Sequence, residues 1–171
     1  MPVEYDHTQY GRLHHLIGLA AGGCLVGALL SGMDSPEFIP LVGAAAVFIV
    51  LGGCFVHLRV RDDGDALEVR FGPISLFGTR IPYERIESVE TARTCLLDAW
   101  GIHGCPGRNV TWSVSGFDAV ALRLARPHGL FRFRAIKIGT DEPEKLAAFI
   151  RTRIPANALA DAPGAQQDEQ R

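Results

Sequence analysis

Formal charge is nearly missing from Leu13 to Leu58, where Asp34 and Glu37 are the only ionised side chains. That absence argues against a pair of ordinary soluble helices, which need a polar stripe toward water. A basic excess is missing too: the net charge of −2 leaves no electrostatic footprint for nucleic acid. Neither the four cysteines nor the six histidines show CxxC or HxxxH spacing, so no metal set is completed and no cofactor motif is present. No small-x-small cleavage site precedes the second apolar run. The residues before the first run carry Glu4 and Asp6 against Arg12 alone, which does not fit a cleaved signal peptide.

What is present is apolar sequence gathered in one place. Mean hydropathy is positive although 21% of residues are charged. The runs Leu13 to Met33 and Phe38 to Leu58 each reach ~30 Å at the helical rise, the hydrocarbon thickness of a bilayer. Only Asp34-Ser35-Pro36-Glu37 joins them, so the expectation is an antiparallel transmembrane hairpin over 13–58. Arg12 precedes the first run, Arg59 and Arg61 follow the second, and the joining loop is acidic. The positive-inside bias then places both termini in the cytoplasm, on the inner side of a bacterial cytoplasmic membrane. Small residues four apart in "GLAAG" (18–22) and "GCLVG" (23–27) permit close helix approach. The "GAAA" stretch (43–46) of the second run is the expected partner, and a homo-oligomer is the alternative.

From residue 59 the periodicity changes to two. Leu58 and Val60 alternate with arginines, Asp63-Gly64 makes a hairpin signal, and Leu67, Val69 and Phe71 alternate with Glu68 and Arg70. "RIPYERIESVETAR", with Ile86 and Val89 as anchors, "VTWSVSG" and "FDAVALRLAR" supply further strands. In "LFRFRAIKIG", Phe131 and Phe133 share one parity whereas Ile136 and Ile138 share the other, so a β-bulge is expected near Arg134-Ala135. Gly139-Thr140-Asp141 invites comparison with a phosphate loop. Asp141, Glu142 and Glu144 would repel an anion there, however, and Thr140 or Asp141 is the expected N-cap of a closing helix with Pro143 in its first turn. Leu146, Phe149, Ile150 and Ile154 form the apolar stripe of that helix. Pro155 ends it, and 155–171 read as a disordered tail. The organisation expected is therefore a segment 1–12, a hairpin with spans 13–33 and 38–58, a β-unit over 59–154, and the tail.

"ALEVRFG" with "RIPYERIESVE", "WGIHG" before "VSGFDAVALRL", and "IKIGTDEPEKLAAFI" resemble the bacterial pleckstrin-homology-like membrane proteins. The likeness covers Leu58 to Ile154 and extends to the two preceding transmembrane helices. "PHGLFRFRA" departs from it by being longer and more basic. The resemblance implies short antiparallel strands in a partly open barrel capped by one C-terminal helix. It also implies a membrane-tethered, non-enzymatic interaction or scaffold module with a protein partner. An assembly factor for a membrane complex has a similar layout. The phosphoinositide site that such folds suggest needs cations in the first hairpin loop, where this chain has Asp62, Asp63 and Asp65, so no specific site is expected.

For contact with a partner or with lipid the candidates are Trp100, His103, Arg108, Arg123, Arg132 and Arg134, with Arg126 and Lys137 nearby. The stretch Thr94 to Asn109 is long, rich in glycine and carries recognition-type side chains; the alternative is a β-strand with a glycine-rich loop whose Trp100 caps the core. No catalytic constellation is evident: His103 and Cys105 lack a third orienting group. His14, His15 and His57 stand at one end of the expected hairpin, and a convergence of their imidazoles would make a metal or haem site, the competing redox reading. Cys24 and Cys54 differ in depth by ~10 Å and are not expected to pair.

Overall fold

The computed structural model describes residues 5–73, 76–94, 101–105, 107–130 and 132–155. The N-terminal segment holds a strand, β1 (Asp6–Tyr10), which its short polar sequence does not announce. Then come α1 (Leu13–Ser31) and α2 (Phe38–Cys54), packed on each other and followed by β2 (His57–Asp62). Strands β1 and β2 pair antiparallel, from Tyr10↔His57 to Asp6↔Arg61. The helical hairpin is thus inserted between two neighbouring strands of one sheet. The second helix stops four residues short of the expected end, because Leu58 and Val60 are needed on the inner face of β2, where they are buried.

Strands β3 (Ala66–Phe71) and β4 (Gly78–Pro82) complete an antiparallel sheet in the order β1-β2-β3-β4. A 3₁₀ turn, Tyr83–Arg85, leads to the second sheet, made of β5 (Ile86–Arg93), β6 (Gly101–Cys105), β7 (Asn109–Ser113), β8 (Asp118–His128) and β9 (Phe133–Gly139). Its order is β5-β8-β9-β7-β6. The arrangement corrects the all-antiparallel expectation: β9 enters between β8 and β7, runs antiparallel to β8, and therefore lies parallel to β7. The expected irregularity at Arg134-Ala135 is visible as two successive N–H groups donating to one carbonyl, Arg108 O, at 2.9 and 3.1 Å. Across the same place the β8 register slips between Arg123 and His128.

The closing helix α3 (Pro143–Arg153) buries Leu146, Ala147 and Ile150 against β5 and β8. Its N-cap is Glu142 and not Thr140 or Asp141. Thr140 Oγ1 accepts the Glu142 N–H at 3.2 Å, while Asp141 accepts a hydrogen bond from His7 Nε2 at 2.6 Å. The acid expected at the helix start is drawn off to tie down β1. The tail beyond Pro155 lies outside the described residues.

The core fills the space between the two sheets and α3 with Leu58, Val69, Phe71, Ile81, Ile86, Leu122, Ile136, Ile138 and Ile150. Into it projects one carboxylate, Asp62, whose side chain is 1% exposed. Oδ1 accepts from the Tyr83 hydroxyl at 3.0 Å and from the Gly64 N–H at 3.1 Å; Oδ2 accepts from Arg153 Nη2 at 2.7 Å. Arg153 also lies over the Phe149 ring, 5.5 Å from its centroid. Asp62 thereby joins the first turn, the 3₁₀ segment and the end of α3.

The hairpin itself is exposed. Its helices bury only Ala21, Ala28, Ala45, Gly52 and Cys54, while Leu19, Leu29, Leu30 and Ile39 are each at least 75% exposed. Helix α1 is long and apolar enough to cross a bilayer, and α2 is apolar but shorter. Gly27 rests near Leu41 and Gly52 near Ile17, but Gly18, Gly22, Gly23 and Gly43 have nothing within 4 Å of a Cβ position. The small-residue pattern therefore faces the second helix only in part, against the expectation. Ala21 and Ala28, seven residues apart and so on one face, form the seam. Where the hairpin meets the sheet, Gly72 has φ +57 and a Cβ there would collide with the carbonyl oxygens of Gly53 and Cys54.

Asp62 accepts from three groups at once, Tyr83, Gly64 and Arg153. Asp62→Ala is expected to lower the stability of the folded chain by ~2–4 kcal/mol, seen in the urea midpoint; an unchanged midpoint would show that Asp62 does not hold these elements. Burial, and secondly Glu142, raises the Tyr5 hydroxyl from 10.0 to about 12. The unfolded chain loses this proton first, so the contribution is intact below pH 10.0 and is lost as pH rises toward about 12. Unfolding midpoints at pH 9.5 and 11.5 should therefore fall less in Tyr5→Phe than in the parent chain.

Candidate functional site

Alternation along β8 and β9 separates the core from a basic face. Leu122 and Ile136 are opposite each other and buried, so their neighbours Arg123, Ala135 and Lys137 point the other way. Parallel pairing sets Lys137 beside Thr111, and Thr111 pairs with His103 on the edge strand β6. The bulge brings Arg108 and Arg134 together through the shared carbonyl already described. Arg132, at φ 53, is the one described non-glycine residue with positive φ; it follows the turn at Gly129.

Five of the six contact candidates, His103, Arg108, Arg123, Arg132 and Arg134, therefore belong to one connected region of β6, β7, β8 and β9. The sixth, Trp100, lies outside the described residues, as does Cys95. The segment weighed as a recognition loop or as a strand with a glycine-rich loop contains β6, paired with β7 from Gly101↔Ser113 to Cys105↔Asn109. It is a strand because Ile102 is needed against the core.

Charge divides unequally between the sheets. On the first sheet Arg59 is paired with Asp6, Arg61 and Arg70 with Glu68, and Arg80 with Asp63 and Asp65. The three acids of the first hairpin loop are thus engaged: Asp62 faces inward, and the other two hold Arg80. On the second sheet Arg108, Arg123, Arg126, Arg132 and Arg134 are exposed and have no acidic partner among the described residues. Guanidinium groups in that state offer planar, two-pronged hydrogen bonding to carboxylates. The 59–153 segment holds 15 Lys plus Arg against 12 Asp plus Glu, a net of +3. Pairing on one sheet concentrates this surplus on the other.

Among the described residues other candidate chemistry is not assembled. His103 and Cys105 are exposed, two residues apart on one face of β6, and no third described group orients either. Among the described residues no group of three His, Cys, Asp or Glu side chains is placed to hold a metal ion. His14 and His15 have ring centroids 3.9 Å apart, but His57 belongs to β2 and faces Tyr10 at 5.7 Å, so the three imidazoles do not converge. The pairing of β1 with β2 carries His57 away. Cys24, Cys54 and Cys105 are free thiols.

Sequence reasoning missed His128 and His7. His128 Nε2 meets Thr79 Oγ1 at 3.0 Å and so connects the second sheet to β4. Burial, then Arg85, pushes its imidazole below the ordinary value. Neither contact has a local sequence signal, since the partners are 49 and 134 residues apart. Comparison with protein-family models, with curated proteins and with solved structures finds no match for this chain.

Cys105 is exposed and Cys54 fully buried. In a Cys95→Ser background, a membrane-impermeant maleimide added to the folded chain should find a fast-reacting thiol that disappears in Cys105→Ala; absence of a fast phase in that background would place Cys105 elsewhere than on an open strand.

Proposed function

We propose that this chain is a membrane-anchored, non-enzymatic interaction module. The helical hairpin sits in the lipid bilayer, and a pleckstrin-homology-like β-unit stands on its cytoplasmic side. The unit presents the basic face of its second sheet to an acidic segment of a partner protein. One observation carries the reading: the apolar side chains of α1 and α2 point outward while the polypeptide on either side of them closes into a single sheet. Each large aliphatic side chain left in water forgoes ~1.5–3 kcal/mol of burial. A hydrocarbon solvent removes that penalty, and helices satisfy their own backbone hydrogen bonds within it.

The insertion of the hairpin between β1 and β2 supports a same-side arrangement of its two ends. Arg12, Arg59 and Arg61 at those ends favour the cytoplasmic side. Two sheets followed by one closing helix support the pleckstrin-homology-like class. The unpaired arginines support an anionic protein surface as the partner, since exposed charge pairs govern encounter and specificity more than affinity.

Carbonate extraction should leave the full chain in the membrane pellet, and a reporter fused after Arg171 should work only in the cytoplasm. Cross-linking in native membranes should yield a partner that is lost on Arg123→Glu with Arg134→Glu, while the unfolding midpoint moves by less than ~0.5 kcal/mol. A soluble chain, or a partner indifferent to the reversed charges, would overturn the proposal.

A further inference from the structure

The closing helix ends beside the basic face of the second sheet. Arg151, in the last turn of α3, donates from Nη2 to the Val89 carbonyl of β5 at 3.2 Å. Strand β5 is an edge of that sheet, with only β8 next to it. Val89 pairs with the buried Leu122, so the neighbouring pair Ser88↔Arg123 belongs to the outer face, and Arg123 in turn pairs with Ala135. Counted from Ser88, Arg123 is one strand away and the Arg134-Ala135 bulge two, ~5 and ~10 Å. A chain leaving α3 reaches both by passing round the β5 edge.

The charges on the two sides of that edge are opposite. Arg108, Arg123, Arg126, Arg132 and Arg134 are exposed and ion-paired to no described residue. The next outer row runs from Glu90 through Ala121 to Lys137, so it adds one acid at the edge and one base further in. Residues 156–171, which follow α3 and Pro155, carry Asp161, Asp168 and Glu169 against Arg171, three acids and one base for a net of −2. At ~3.3 Å per residue the stretch from Pro155 to Asp168 spans up to ~43 Å, well beyond the distance to be covered.

We propose that the chain's own C-terminal segment, residues 161–169, docks on this basic face, with Asp168 and Glu169 on Arg123 and Arg134, and so competes with the acidic partner. The proposal rests on the basic face being the partner surface proposed above. Opposite charge, attachment beside the β5 edge and sufficient reach select this occupant. Exposed ion pairs are individually weak. Tethering makes the contact intramolecular, at an effective concentration on the order of 1 mM, so a contact with a Kd of ~0.2 mM is closed about 80% of the time. A partner with more acids displaces it, and the segment rejects weaker anions.

Anisotropy of fluorescein-labelled hexaglutamate, titrated at low salt with the full chain in detergent, tests this. Asp161→Asn with Asp168→Asn and Glu169→Gln should tighten probe binding about fivefold by freeing the face. Asp34→Asn with Glu37→Gln, which removes acids from the hairpin loop, should change it less than twofold. Equal binding by the parent and the tail-neutralised chain, or the same gain in the loop control, would overturn the docking and leave the basic face standing. In an Arg123→Gln, Arg134→Gln background the tail substitutions should no longer matter; a persisting fivefold gain would place the segment elsewhere. A gain that grows with chain concentration would assign the segment to a neighbouring copy and overturn the intramolecular contact. Absence of probe binding in both tail forms would instead sink the basic-face reading itself, so the two failures are distinguishable.

Discussion

Pairing of β1 with β2 is the constraint on which the rest of this molecule depends. Residues 11–56 leave the sheet and return to it at the adjacent position. Both helix ends must then lie together, at the separation of two neighbouring strands, ~4.8 Å. The close approach is tight enough to require glycine: a Cβ at Gly11 would meet Val114, and one at Gly72 would meet the last carbonyls of α2. Hydrophobic packing continues the joint, with Phe55 against Phe71 and Phe77, and Phe71 against Trp112. The hairpin is therefore built into the β-unit and is not hung from it by a linker.

A second economy concerns charge. The first sheet neutralises its arginines with acids on the same face, and Asp62 turns inward to meet Tyr83 and Arg153. Fields from opposite charges a few ångströms apart largely cancel at longer range. The surplus is left to the second sheet, where alternation sends Arg123 and Lys137 away from the core and the bulge gathers Arg108 with Arg134.

Much of the fold was legible because local patterns carry it. Leu58, Val60, Leu67, Val69 and Phe71 alternate as a two-residue period demands, and Asp63-Gly64 marks their turn. Leu146 and Ile150 mark one helical face. The slip of parity between Phe133 and Ile136 announced an irregular strand. What escaped reading has no local period. "DHTQY" is polar and five residues long, and becomes a strand only because β2 offers its free edge. The candidate site was half legible: residue types named the arginines, but their grouping depends on a parallel β7–β9 register that no neighbouring residues encode.

By itself the sequence determined where apolar surface is concentrated, which stretches alternate and which stretch forms the last helix. Those properties follow from side-chain chemistry within a few residues of chain. Only the tertiary structure decided that a strand before the hairpin joins one after it, that His57 parts from His14 and His15, and that Arg59 comes to stand opposite Arg70. Such contacts join residues dozens of positions apart, and their free energy comes from hydrogen bonds and burial that exist only once the sheets have closed.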